Sequence, residues 1–162
     1  MSNDSINFAR GLIKGRIAEV IFEQMMRGED KYIVIPIGYE YTTPMLTQYR
    51  GHAEIEQIID NIADAPDFAL ISKEQTPEGK VRIYLVEVKY RSSLNINDIK
   101  KHAEELRKRW EHPWLFVATP GGFYCGHCKD ILSEGNINPL SENWVVCDNQ
   151  SQYLELLKEF EK

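Results

Sequence analysis

Cysteine is scarce: the 162 residues hold three, an odd number, with Cys125 and Cys128 close together and Cys147 apart. That fits a reducing compartment better than the disulfide framework of a small secreted domain. Long apolar runs are missing as well. None approaches the roughly 20 residues needed to cross a bilayer, and the opening MSNDSINFARG lacks the apolar segment of a secretory leader. The expectation is a soluble, cytoplasmic chain with no membrane partner. Repeats and low-complexity segments are absent, and no helix-turn-helix or finger motif stands out. Positive charge is in deficit, 19 Lys and Arg against 25 Asp and Glu, for a formal net charge of −6. A polyanion held by bulk charge is thereby disfavoured, and local basic patches would have to carry any such contact.

What is present is enough apolar material for one core. Hydrophobic residues make up 43% of the chain, and the length suits a single domain over 1–162. From Ser5 to Arg27 the periodicity is helical, with Phe8, Leu12, Gly15, Glu19, Phe22 and Met26 on one stripe. Glu19 is thus a carboxylate among inward-facing residues. An unpaired buried charge is costly, so Glu19 must meet a cation such as Lys89 or join a cluster that holds one. Gly28 is a helix stop. Lys31 to Tyr39 reads as a strand that Pro36 confines to an edge or a bulge. Thr42 to Gly51 is loop-like, and Ala53 to Ile62 is a short helix with Ile55, Ile58, Ile59 and Ile62 inward.

The densest chemistry lies in Ala65 to Arg91, APDFALISKEQTPEGKVRIYLVEVKYR. Phe68 to Ser72 is a short apolar run, Thr76-Pro77-Glu78-Gly79 is a turn signal, and Val81 to Arg91 is rich in β-branched and aromatic residues. Alternation places Tyr84, Val86, Val88 and Tyr90 on one face and Leu85, Glu87, Lys89 and Arg91 on the other, with Glu87 and Lys89 about 7 Å apart along the strand. If the arms pair, Asp67 falls beside Glu87. Two carboxylates about 5 Å apart repel by about 3 kcal/mol at an effective dielectric of 20. Lys89 alone would relieve that repulsion as a structural ion pair. A divalent cation would do so too, since Mg²⁺ takes a few carboxylate oxygens and keeps its remaining positions for water and phosphate.

Pro66-Asp67, a hairpin and Glu87-Val88-Lys89 together resemble the PD-(D/E)xK nuclease superfamily, over about Ile6 to Asp148 and through the order of elements. The resemblance implies an α/β fold with a restriction-endonuclease-like core: a central mixed sheet of four to five strands flanked by helices, in the order α-β-α-β-β-α-β-β-α. It implies a metal-dependent DNA endonuclease leaving 5′-phosphate and 3′-hydroxyl ends. Asp67 and Glu87 would bind Mg²⁺, or Mn²⁺ in its place, with the Val88 backbone carbonyl as a further ligand and Glu19 reaching the ion directly or through water. Lys89 would position the attacking water. The implied partner is duplex or branched DNA, with a homodimer or a partner protein supplying what one acidic chain lacks.

Downstream, Asn97 or Asp98 caps a helix from Ile99 to about Glu111, with Ile99, Ala103, Leu106 and Trp110 inward. Its Lys100, Lys101, Arg107, Lys108 and Arg109 form a phosphate-tracking surface or else a solvated face balanced by Glu104, Glu105 and Glu111. Arg91 is a second phosphate-binding candidate. Trp114 to Thr119 reads as a buried strand parallel to the Glu-x-Lys strand, because a helix connects them. Cys125, Cys128, Cys147 and His127 form a candidate zinc set. Trp144 to Cys147, WVVC, reads as the last strand. Asp148 to Lys162 is an amphipathic helix with Tyr153, Leu156, Leu157 and Phe160 inward. Two other functional readings stay open: an inactive nuclease-fold module that binds nucleic acid or protein, and a small zinc-stabilised interaction domain.

Overall fold

The computed structural model describes residues 3–38, 51–52, 54, 56–58, 60 and 64–161. The chain is an α/β protein with one open, mixed, five-stranded sheet flanked by helices. Its elements are α1 (Asn3–Gly28), β1 (Tyr32–Pro36), β2 (Phe68–Ser72), β3 (Ile83–Tyr90), α2 (Ile96–Arg107), β4 (Pro113–Thr119), β5 (Gly122–His127), α3 (Cys128–Glu134) and α4 (Cys147–Glu159). Strand order follows the chain, β1-β2-β3-β4-β5. The first three strands form an antiparallel meander, β3 and β4 run parallel, and β4 and β5 form an antiparallel hairpin. The change to parallel pairing at β4 follows from the helix between it and β3, since only a long crossover returns the chain to the same sheet edge.

Side-chain alternation divides the sheet into two cores. On one face Phe68, Leu70, Val86, Val88, Phe116 and Ala118 pack against Ala18, Ile21, Phe22, Met25 and Met26 of α1 and Leu157 of α4. Phe22 is central, with ring centroids 5.1 Å from Phe68 and 4.8 Å from Phe116. On the other face Leu115 and Val117 pack against Ile99 and Ala103 of α2 and Cys128 and Ile131 of α3. Pro36 closes β1 at the sheet edge, where its missing N–H costs no ladder bond. The far edge, β5, is covered by the segment around 138–140: Cys125 N–H donates to the Asn138 carbonyl at 3.0 Å and Leu140 N–H to that of Phe123 at 2.9 Å.

Several expectations need correction. The stripe on α1 is buried only from Ala18 onward; Phe8 and Leu12 are 70% and 61% exposed, because the helix runs past the sheet. α2 starts at Ile96 rather than Ile99: Asn95 is the N-cap, its Oδ1 accepting from the N–H groups of Asn97 (3.0 Å) and Asp98 (3.4 Å). The helix ends at Arg107, so Trp110 lies beyond it. Trp144 to Cys147 is not a strand. The amides of Trp144 and Val145 turn back onto the Ser141 carbonyl, Val145 is buried, and Cys147 opens α4. Glu29 supplies the cap that Val146 lacks, its Oε1 accepting from Val146 N–H (3.1 Å) and Asn149 Nδ2 (3.0 Å). In α4 Tyr153, Leu154 and Leu157 face the core, whereas Leu156 and Phe160 are exposed.

The loop-like stretch from Thr42 lies outside the described residues up to 50. In the next stretch residues 54, 56–58 and 60 are helical, and Ile58 is exposed rather than inward. Ile55, Ile59 and Ile62 lie outside the described residues.

Candidate active site

The β2–β3 register pairs Phe68 with Val86, so one step further Asp67 stands opposite Glu87. Both belong to the sheet face that Val86 and Phe68 do not, the face covered by α2. Asp67 is fixed through its backbone and its side chain. Its carbonyl accepts from the N–H groups of Ile37 (2.9 Å) and Gly38 (3.3 Å), where the chain leaves β1. Its Oδ2 accepts from Val88 N–H at 2.8 Å. Gly38 passes close over this carboxylate: a Cβ added there would sit 3.6 Å from Asp67 Oδ1.

Glu87 and Lys89 share the α2-facing side of β3, and Lys89 Nζ lies 2.7 Å from Glu87 Oε1. Val88, between them, turns its side chain into the opposite core and is buried. Glu19, on α1 against that opposite face, pairs with Arg16 at 2.6 Å. It is nevertheless close enough to Asp67 for its charge to be felt there. The Asp67 carboxyl is pushed up to about 7, first by burial and then by the neighbouring Glu87; the Val88 N–H pulls the other way, Glu19 adds a smaller push up and Lys89 a smaller pull down. Asp67 thus feels two other acids, Glu87, which Lys89 serves, and Glu19, which Arg16 serves. Among the described residues no cation pairs with Asp67.

Glu87 and Lys89 open into a cavity of about 460 Å³, whose other walls include Asp64, His102, Glu105, Lys108 and Arg109. Of the basic residues proposed to track phosphate, Lys108 lines this cavity, as does Arg109, which pairs with Asp64. Lys100, Lys101 and Arg107 do not line it; the Lys100 ammonium group instead lies over Gly135. Arg91 is occupied within the protein. Its Nε donates to Asp98 Oδ2 at 2.5 Å and its Nη1 to the Tyr90 carbonyl at 2.7 Å, and its Nη2 lies 2.5 Å from His102 Nε2.

His102 is the residue that sequence reasoning missed. His102 Nε2 lies between the Arg91 guanidinium and Asp98 Oδ1, 3.3 Å away. Burial holds its pKa below the ordinary range, and the charges of Lys89 and Arg91 lower it further. The signal was its position four residues after Asp98 and three before Glu105, a spacing that aligns all three on one helix face.

The zinc set is not brought together. Cys125 packs with the α1-side core and Cys128 is buried in the α2-side core. His127 caps α3, its Nδ1 accepting from Lys129 N–H at 3.2 Å, and Cys147 is exposed at the start of α4. Burial pushes both the Cys125 and the Cys128 thiols up to about 12, away from the thiolate form that a metal requires. His52 and Glu56, a further pair at metal-like spacing, are exposed. Among the described residues no three His, Cys, Asp or Glu side chains are grouped closely enough to ligate one ion. Magnesium does not need three, since one or two carboxylates with water complete its shell. Oxygen donors only, and an acid without a counter-charge, fit such an ion.

Among the described residues no helix is long and apolar enough to cross a membrane. No family model matches the chain, and no curated protein or solved structure does either.

Proposed function

We propose that the chain is a divalent-metal-dependent endonuclease that hydrolyses phosphodiester bonds in DNA to 5′-phosphate and 3′-hydroxyl ends. The observation that carries this reading is the uncompensated acid: Asp67, raised to about 7 beside Glu87, with Lys89 on the same strand face as Glu87. The finer fold belongs to the same proposal. A helix, three antiparallel strands, a crossover helix and a parallel strand, with one acid before β2 and another within β3, are similar to the core of the PD-(D/E)xK nuclease superfamily.

Asp67 and Glu87 would hold Mg²⁺ or Mn²⁺, with the Val88 carbonyl as a further oxygen and Glu19 behind them. When bound, the ion supplies a water of lowered pKa and neutralises charge on the phosphoryl oxygens. The protein's own groups then have defined tasks. Lys89, beside Glu87, would orient the attacking water with its ammonium and stabilise developing charge. Lys108 and Arg109, on the cavity wall, bear on the flanking phosphates. His102, on the wall of the same cavity, would offer a ring nitrogen to the reaction's proton.

Incubation of supercoiled plasmid and branched DNA with Mg²⁺ or Mn²⁺ tests the reading, with Asp67→Ala as control. Nicking by the wild type and none by the variant is expected. No cleavage of either substrate with either ion, or equal cleavage by the variant, refutes it. The Lys89–Glu87 ion pair, complete without a metal, favours a second reading, a nuclease-like module that binds without cutting. DNA retention with no nicking would select it.

A further inference from the structure

We propose that the end of the sheet away from Asp67 carries a second binding site, an aromatic cavity that takes an unpaired nucleobase together with its phosphate. It rests on residues other than the acidic group and stands whether or not the chain cleaves DNA.

Tyr32, Tyr84 and Trp114 lie at the starts of β1, β3 and β4 and turn toward the α1-side core; Trp144 meets them from the turn before α4. Tyr32 and Trp144 stack at 5.7 Å with planes 25° apart, and Trp144 meets Tyr84 at 4.9 Å and Trp114 at 5.1 Å, edge to face. Four large rings in mutual contact would ordinarily be covered. Here all four are only half-buried and line a cavity of about 750 Å³, within the size range of small-molecule sites.

Two further features select the ligand. A half-buried tyrosine or tryptophan usually finds a hydrogen-bond partner for its polar tip. Among the described residues none reaches the hydroxyls of Tyr32 and Tyr84 or the indole N–H groups of Trp114 and Trp144, although no buried polar atom is stranded. The four tips therefore remain for solvent or a ligand, a mixed donor and acceptor set that suits the edge of a base. The rim carries Lys31, Lys73 and Arg82 against Asp30 and Glu74, with Glu29 beside Lys31, so cations and acids balance in a chain of net charge −6. Lys73 pairs with Asp30 and Lys31 lies 3.8 Å from Glu29, whereas Arg82 has no acidic partner among the described residues. A cationic ligand of the kind aromatic cages hold would meet the unpaired Arg82 guanidinium. An anion attached to a flat ring would find in Arg82 a guanidinium free to receive it, with the rings beside it, as stacking platforms combine cations and aromatic rings in single-strand recognition.

Tryptophan fluorescence reads the site directly. The chain has three tryptophans, and Trp110→Phe removes the one on the other cavity, leaving Trp114 and Trp144 as reporters. Titration of this variant with an eight-residue oligothymidylate in chelator should give saturable quenching, weaker in high salt and absent with duplex DNA of the same length. Arg82→Glu, an exposed substitution that leaves packing untouched, should weaken binding by about tenfold, since it removes one attraction and adds one repulsion. Trp144→Leu should abolish it. Absence of quenching, quenching unchanged by Arg82→Glu, or quenching by tetramethylammonium in place of the oligonucleotide would overturn the proposal.

Discussion

Asp67→Asn should stabilise the metal-free protein above neutral pH and leave it unchanged in acid. In the folded chain the Asp67 carboxyl titrates at about 7 against 3.8 for an unhindered aspartate, because it is buried beside Glu87 with Glu19 nearby. The folded state therefore holds this proton more tightly than the unfolded state does. The associated stability is complete below about pH 4 and is lost as the pH rises through 7. At 1.36 kcal/mol per unit, the ionised side chain costs the fold about 4 kcal/mol above that range. Asparagine has the same shape and keeps an oxygen for the Val88 N–H, but it still brings a polar amide into the site. A gain of about 2–3 kcal/mol near pH 8.5 follows, or roughly 5–10 °C in melting temperature for a chain of this size. Urea unfolding in chelator, at pH 5 and at pH 8.5, measures it. Equal stability of the two proteins at the higher pH, or a loss at both, would refute the reasoning that Asp67 is an acid without a counter-charge.

Lys89→Ala should retain Mn²⁺ binding and lose plasmid nicking, since it removes the ammonium while both carboxylates remain; loss of ion binding would assign Lys89 a structural role instead. Arg91→Gln should raise the pKa of His102 toward its ordinary value, because it withdraws a nearby cation and frees Asp98. The chemical shifts of the His102 ring across pH 5–8 report it, and an unchanged midpoint would contradict the contact. Phe22→Ala should cost about 3–5 kcal/mol in urea unfolding, because the ring is fully buried between Phe68 and Phe116.

The parts of the fold set by local pattern were legible in the sequence. Phe68 to Ser72 ends at polar turn residues and emerges with those same limits. The parallel pairing of β4 follows from the helix that precedes it. The parts set by distant partners were not legible. Trp144 to Cys147 has the composition of a strand, yet Glu29, over a hundred residues earlier, makes its end a helix cap. The stripe on α1 continues in sequence beyond the point where the sheet can cover it. At the site, the alternation of β3 put Glu87 and Lys89 on one face, and the pairing placed Asp67 opposite. The commitment of Arg91 to Asp98 and His102 depends on where the packing of α2 on β4 leaves that helix beside the end of β3, which no spacing within either element reveals.

Calorimetric titration with Mn²⁺ bears most directly on the central claim that Asp67 and Glu87 hold a divalent ion between them. Near pH 8, the wild type should show one saturable site per chain that is lost in Glu87→Ala, with both proteins folded by circular dichroism. Superimposable isotherms from the two would contradict it.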